Sequence, residues 1–226
     1  MTIVPTGLLS TVELENGAHP THTILWLHGL GADGNDFVPI VDELKLPPDT
    51  RIRFVFPHAP MRPVSINGGF VMRAWYDVLN LNSSPPEDET GLRDSQRAIE
   101  TLLEREEQRG ITPERIVLAG FSQGGAMALQ TGLRYPEKLA GIMALSCYLP
   151  LQQTLAAEAH RANSATSIFM AHGSRDSVIP MTLAAASRRQ LRESGYAVEW
   201  HEYPMAHAVC AEEMADISAW LKRVLI

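Results

Sequence analysis

A chain of 226 residues, 45% of them hydrophobic, can bury one sizeable core, so residues 1–226 are expected to form a single domain. Its 26 acidic residues outnumber 19 basic ones, giving a formal net charge of −7; this argues against a nucleic-acid partner, whose binding surfaces concentrate lysine and arginine. No run approaches the roughly 18 apolar residues of a membrane span, and the first basic side chain is Lys45, so neither membrane insertion nor an export signal is expected and the reading is cytoplasmic.

In chain order, short apolar runs rich in β-branched residues alternate with amphipathic stretches, the pattern of strands and helices wound into a mostly parallel sheet. A short run at Thr11–Leu14 reads as an edge strand, followed by strands at Thr23–His28 and Arg51–Phe56. The stretch from Met61 to Gly91 fits neither period and reads as a long connection of the kind that covers sites. Leu92–Arg109 reads as a helix, with Ile99, Leu102 and Leu103 on one face and Gly110 just past its end. Strands follow at Arg115–Gly120, Gly141–Ser146, Ser167–His172 and Val198–Tyr203, and helices at Gln123–Tyr135, Met181–Ser194 and Ala211–Leu225. Cys147 and Cys210 have no metal-ligand spacing and read as reduced thiols.

Gly120-Phe121-Ser122-Gln123-Gly124 is a G-x-S-x-G set between a strand and a helix, the context a nucleophilic serine on a sharp turn requires. Side chains at the glycines would collide with the neighbouring strand and helix. The helix that begins behind Ser122 points free N–H groups toward it, so the backbone N–H of Gln123 is a candidate oxyanion donor.

A serine hydroxyl needs a base within hydrogen-bond reach, and that base needs a partner to fix its tautomer. In the order nucleophile, acid, histidine, Asp176 follows the strand Ser167–His172 and His207 follows the last strand. His172 precedes the acid and reads as a packed, hydrogen-bonded residue; His201, His160, His19 and His22 read as surface or structural. Glu202 sits within a strand too close to His207, while Asp77 and Asp94 come before the nucleophile.

Gly29, Gly31 and Gly34 satisfy G-x-G-x-x-G after a strand, which raises a nicotinamide dinucleotide site as a second class of function. That site wants an acid at the end of the next strand to bind a ribose, where this chain runs into Pro57-His58. The favoured reading is a loop that donates a second oxyanion N–H, from Leu30.

The ordered set Leu27-His28-Gly29-Leu30-Gly31-Ala32-Asp33-Gly34, Pro57-His58-Ala59-Pro60, Ile66-Asn67-Gly68-Gly69, Trp75-Tyr76-Asp77, Ala119–Gly125, His172-Gly173 with Asp176, and Tyr203-Pro204-Met205-Ala206-His207 covers nearly the whole chain. It resembles the small carboxylesterases and acyl-protein thioesterases of the α/β-hydrolase superfamily. The resemblance implies an α/β-hydrolase fold, with a mostly parallel central sheet, helices on both faces and no large cap domain. It also implies the triad Ser122, Asp176 and His207, oxyanion N–H groups at Leu30 and Gln123, no cofactor, and often a homodimer. The loop after Trp75-Tyr76-Asp77 would border an acyl pocket, which makes Val78, Leu79 and Leu81 candidate substrate contacts. Bacterial relatives often have glycine before the catalytic histidine and glutamate after it; Ala206 and Ala208 stand here, and alanine at a positive φ would strain the histidine loop.

The chemistry expected is hydrolysis of a carboxylic ester through an acyl-enzyme, first on short- to medium-chain esters. The alternatives are an acyl-protein thioesterase or lysophospholipase on long acyl chains and, from other classes, a non-catalytic binding module or an oxidoreductase using the 29–34 loop.

Overall fold

A computed structural model describes residues 7–79 and 87–225. Seven strands form the central sheet: β1 (Thr11–Glu15), β2 (His22–Leu27), β3 (Ile52–Pro57), β6 (Ile116–Phe121), β7 (Gly141–Leu145), β8 (Ser167–Gly173) and β9 (Val198–Tyr203). Their order is β1-β3-β2-β6-β7-β8-β9, and every pairing is parallel except β1 with β3 at the edge. The edge position expected for Thr11–Leu14 and the parallel body of the sheet both hold.

The inner strands are buried from end to end because both faces are covered, which is why they read as continuous apolar runs. Alternation still sorts their side chains. Leu25, Leu27, Leu118 and Ile142 join one core with the helices α2 (Glu89–Gln108), α3 (Gln123–Gly132), α4 (Leu155–Glu158) and α5 (Met181–Glu193). Ile24, Trp26, Val117 and Met143 join the other, under α1 (Ile40–Glu43) and α6 (Ala211–Leu225). Among the described residues, no helix is long and apolar enough to cross a membrane.

Two helix ends differ by three residues from the sequence reading, for local reasons. The helix expected from Leu92 begins at Glu89 because the Asp88 side chain caps it, accepting from the Gly91 N–H at 2.9 Å. The helix expected to reach Tyr135 ends at Gly132, where Arg134 bonds back only three residues, to Thr131.

The connection expected from Met61 to Gly91 is not structureless. It contains a hairpin of β4 (Met61–Val64) and β5 (Phe70–Arg73), turning through Gly68 and Gly69 at φ +67° and +80°. Phe70 and Val71, consecutive in β5 and therefore on opposite faces, are both exposed, as is Met61, so no alternation shows, and Pro63 lies within β4. Both features hide a two-stranded ribbon from periodicity.

The chain winds from β2 to β3 on one side and then crosses to β6 on the other. The crevice where the winding reverses lies at the carboxyl ends of β2 and β6, the place where open parallel sheets bind ligands.

Candidate active site

At that crevice β6 turns abruptly into α3. Ser122, between them, has φ 55° and ψ −121°, a backbone state that a side chain rarely occupies. The glycines around it are demanded by space. A Cβ on Gly124 would lie 2.2 Å from the carbonyl oxygen of Leu27, and one on Gly120 would lie 2.2 Å from the carbonyl oxygen of Gly124. The turn lifts Ser122 above the sheet, and the Ser122 N–H is held by the Leu145 carbonyl at 2.8 Å.

The structure brings Ser122, His207 and Asp176 together from three separate loops. His207 Nε2 is 2.9 Å from Ser122 Oγ, and His207 Nδ1 is 2.6 Å from Asp176 Oδ2. A carboxylate only accepts, so Nδ1 carries the hydrogen and the Nε2 lone pair faces the hydroxyl. The Asp176 side chain is fully buried, and its other oxygen accepts the N–H groups of Val178 at 2.8 Å and Ile179 at 2.9 Å. His207 packs beside Phe121, ring centroids 4.8 Å apart.

The loops that carry Asp176 and His207 are bonded to each other. Ser174 and Arg175 donate N–H bonds to the carbonyls of Tyr203 and Met205. Neither Ala206 nor Ala208 has a positive φ, so the strain anticipated for the histidine loop is absent.

Leu30 lies on the loop after β2, next to Gly29, whose Cβ position is 3.4 Å from the Ser122 Cβ. Gln123 opens α3, so its N–H has no acceptor within the helix. Gly29, beside Leu30, and Gln123, next to Ser122 in the chain, both lie close to the serine. A dinucleotide loop would open a helix at once; here turns run from Gly34 to Pro39 before the four-residue α1 begins.

Three supporting groups escaped the sequence reading. His28 is buried, its Nε2 accepts the Ala59 N–H at 3.0 Å, and its Nδ1 therefore donates to the Gly29 carbonyl at 2.7 Å. That carbonyl shares a peptide group with the Leu30 N–H, so the imidazole sets the donor's direction. Burial pushes the His28 pKa down and keeps the ring neutral. The Trp75 indole donates to the His28 carbonyl at 2.9 Å. The Gln123 side chain accepts from the Trp75 N–H and donates to the Tyr76 carbonyl, each at 2.7 Å. All three stand within the ordered motifs, but no motif says what their side chains bond.

Of the residues set aside, His172 lies beside Asp176 and others lie elsewhere. His201 contacts Glu199 and Asp216, His160 caps a short turn, and His22 contacts Thr21. Asp77 binds the Ser65 N–H and Asp94 pairs with Arg97. Of the acyl-contact candidates, Val78 packs partly against the core, Leu79 is 42% exposed, and Leu81 lies outside the described residues. A groove of about 660 Å³ beside the Leu30 loop is lined by Met61, Val71 and Met72 and by the polar side chains of Asp33, Asn35, Asp36 and Arg73. Cys147 and Cys210 are both free thiols. Among the described residues, no cluster of three or more His, Cys, Asp or Glu could hold a metal ion.

Residues 10–225 match the model of a family described as Phospholipase/Carboxylesterase. The chain is 36% identical over 228 residues to an acyl-protein thioesterase 1 of Gibberella zeae, covering 97% of each chain. It is 39% identical over 213 residues to that of Neurospora crassa, covering 90% of this chain and 87% of the relative. Among solved structures, Arabidopsis thaliana SOBER1 superposes with a TM-score of 0.87 at 32% identity, over 91% of this chain and 99% of that one. Zea mays acyl-protein thioesterase 2 superposes with a TM-score of 0.85 at 29% identity, over 96% and 99%.

Proposed function

The chain belongs to the phospholipase/carboxylesterase family of α/β-hydrolases, and from that premise we propose that it cleaves acyl thioesters on proteins, and related oxyesters, through an acyl-enzyme on Ser122. The curated relatives are named acyl-protein thioesterases, which supports this substrate class over the short- to medium-chain esters put first from the sequence. The observation that carries the mechanism is the hydrogen-bonded line from Ser122 Oγ through His207 to Asp176, 2.9 Å and then 2.6 Å.

His207 takes the hydroxyl proton as Ser122 Oγ bonds to the acyl carbon. The carbonyl electrons move onto oxygen, where the N–H groups of Leu30 and Gln123 hold the charge. As the tetrahedral centre collapses, the thiol or alcohol leaves with the proton from His207. Water then gives a proton to His207 and its oxygen to the acyl carbon, and a second collapse releases the acid and restores Ser122. Asp176 fixes the His207 tautomer throughout and stabilises the imidazolium. The partly exposed Leu79, with the exposed Met61 and Val71 at the groove beside the Leu30 loop, offers apolar surface for the acyl chain.

The test is fluorophosphonate labelling with peptide mapping, joined to rate series on thioesters and oxyesters of increasing acyl length. Label on Ser122, loss of labelling in Ser122→Ala and a fall in turnover of about a thousandfold or more are expected. Rates should be sustained on long acyl thioesters. Retained turnover in Ser122→Ala would refute the mechanism, and a sharp loss of rate beyond short chains would return the substrate to small esters.

A further inference from the structure

The loop that carries Asp176 is braced by a second histidine that the mechanism above does not use. His172 lies in β8, four residues before Asp176, with a buried side chain. Its Nε2 is 2.9 Å from the carbonyl oxygen of Ile179, and since a carbonyl only accepts, Nε2 carries the hydrogen. Nδ1 then holds the lone pair, and it is buried with no hydrogen-bond partner. The groups facing the ring are Asp176 and Ile179 of the acid loop, His207 of the histidine loop and Glu202 of β9. Burial outweighs the pull of the Ile179 carbonyl and the two carboxylates and lowers the pKa, so the ring is neutral.

An orphaned buried acceptor costs on the order of 1–3 kcal/mol, which an apolar side chain in the same space would avoid. What the imidazole contributes is a closed triangle around the acid. The Ile179 N–H donates to Asp176 Oδ1 at 2.9 Å, the Ile179 carbonyl accepts from His172, and His172 Nε2 stands 3.4 Å from Asp176 Oδ2. Oδ2 is the oxygen that receives the His207 Nδ1–H.

We infer that His172 is a positioning residue for Asp176, an inference that rests on Asp176 being the orienting acid: its Nε2–H, directed at the Ile179 carbonyl and flanking Oδ2, aims the carboxylate at His207 and draws off part of its charge. Two consequences separate this role from simple packing. Without the N–H the carboxylate is less well aimed, which lowers kcat with little effect on KM. It is also a stronger partner for a protonated His207, so the acid limb of kcat/KM moves to higher pH.

The test compares His172→Leu, His172→Asn and His172→Gln in the whole chain, with folding checked by circular dichroism. The glutamine amide has the length to reach the Ile179 carbonyl; the asparagine amide falls short. His172→Leu and His172→Asn are expected to lose about ten- to a hundredfold in kcat, with the acid limb raised by roughly half a pH unit. His172→Gln should recover both to within about threefold of the parent rate. The inference is overturned if folded His172→Leu or His172→Asn keeps the parental kcat and profile, if His172→Gln falls as far as they do, or if none of the three folds. Asp176→Asn serves as the reference: its full activity would sink the triad itself, whereas an inactive Asp176→Asn beside unaffected His172 variants would remove only the role given to His172.

Discussion

The side-chain amide of Gln123 grips the backbone of Trp75, accepting its N–H at 2.7 Å while donating to the adjoining Tyr76 carbonyl at the same distance. One residue thus supplies the backbone N–H beside Ser122 and fastens the loop leading to Val78 and Leu79. Ser95 Oγ, on α2, donates to the Trp75 carbonyl and completes the attachment. Gln123→Ala leaves the backbone donor in place but orphans a buried N–H and a buried carbonyl, at a cost of about 2–4 kcal/mol. Gln123→Glu sets a carboxylate oxygen against the Tyr76 carbonyl and should cost more. Thermal unfolding and kcat/KM measured together should show both falling, Glu below Ala; equal values for parent and variants would remove the clamp.

Ser122 occupies a backbone region where glycine is at ease and a side chain is strained by about 1–3 kcal/mol. Ser122→Gly removes the proposed nucleophile and the strain together, while adding roughly 0.5–1 kcal/mol of unfolded-chain entropy. The net expectation is an inactive protein that is more stable than its parent by about 1 kcal/mol. Chemical denaturation of Ser122→Gly beside Ser122→Ala would check it, since alanine removes the hydroxyl but keeps the strain. Equal midpoints would show that the turn stores nothing.

The sheet and the reacting side chains were legible because each leaves a local mark. Strands covered on both faces write continuous apolar runs, and a serine on a tight turn writes glycines at fixed offsets. The hairpin of β4 and β5 was not legible, since Phe70 and Val71, on opposite faces, are exposed together with Met61 and leave no alternation. Nor was the second tier around the site. Gln123 bonds Trp75 across 48 positions, and Ala59 bonds His28 across 31, and no spacing rule relates residues so far apart. His172 could be read only as packed; its hold on Ile179 depends on the path of the turn after β8.

Glycines in this chain divide into those fixed by space and those fixed by conformation. The Cβ of Gly124→Ala would press on the carbonyl oxygens of Leu27 and His28, at 2.2 Å and 2.6 Å, both rigid backbone. Gly110, beyond α2, has open space around it and a φ of +89°. Gly124→Ala is expected to lose more than about 3 kcal/mol and all turnover, because α3 must move away from β2. Gly110→Ala should lose only about 1–2 kcal/mol, with kcat unchanged. Denaturation midpoints and turnover of the pair test the division, and a tolerated Gly124→Ala would contradict the packing of α3 on β2.

Glu213, in the first turn of α6 and three residues past the histidine loop, is fully buried and neither carboxyl oxygen has a hydrogen-bond partner. Burial pushes its pKa from 4.5 up to about 8, and the nearby Asp216 adds to the rise. A raised carboxyl pKa means that the folded chain holds the proton more tightly than the unfolded chain. Stability from that proton is complete below about 4.5 and is lost as pH climbs through about 8. Glu213→Gln replaces the carboxyl with a neutral group of the same shape, so parent and variant should differ little at low pH. By about pH 8 the variant should be the more stable by a few kcal/mol, the difference growing through that interval. Because α6 follows directly on the segment bearing His207, the parent should also lose turnover above pH 8 sooner than the variant. Parallel unfolding midpoints for the two proteins from pH 5 to pH 9 would show that Glu213 does not carry its proton into the folded state.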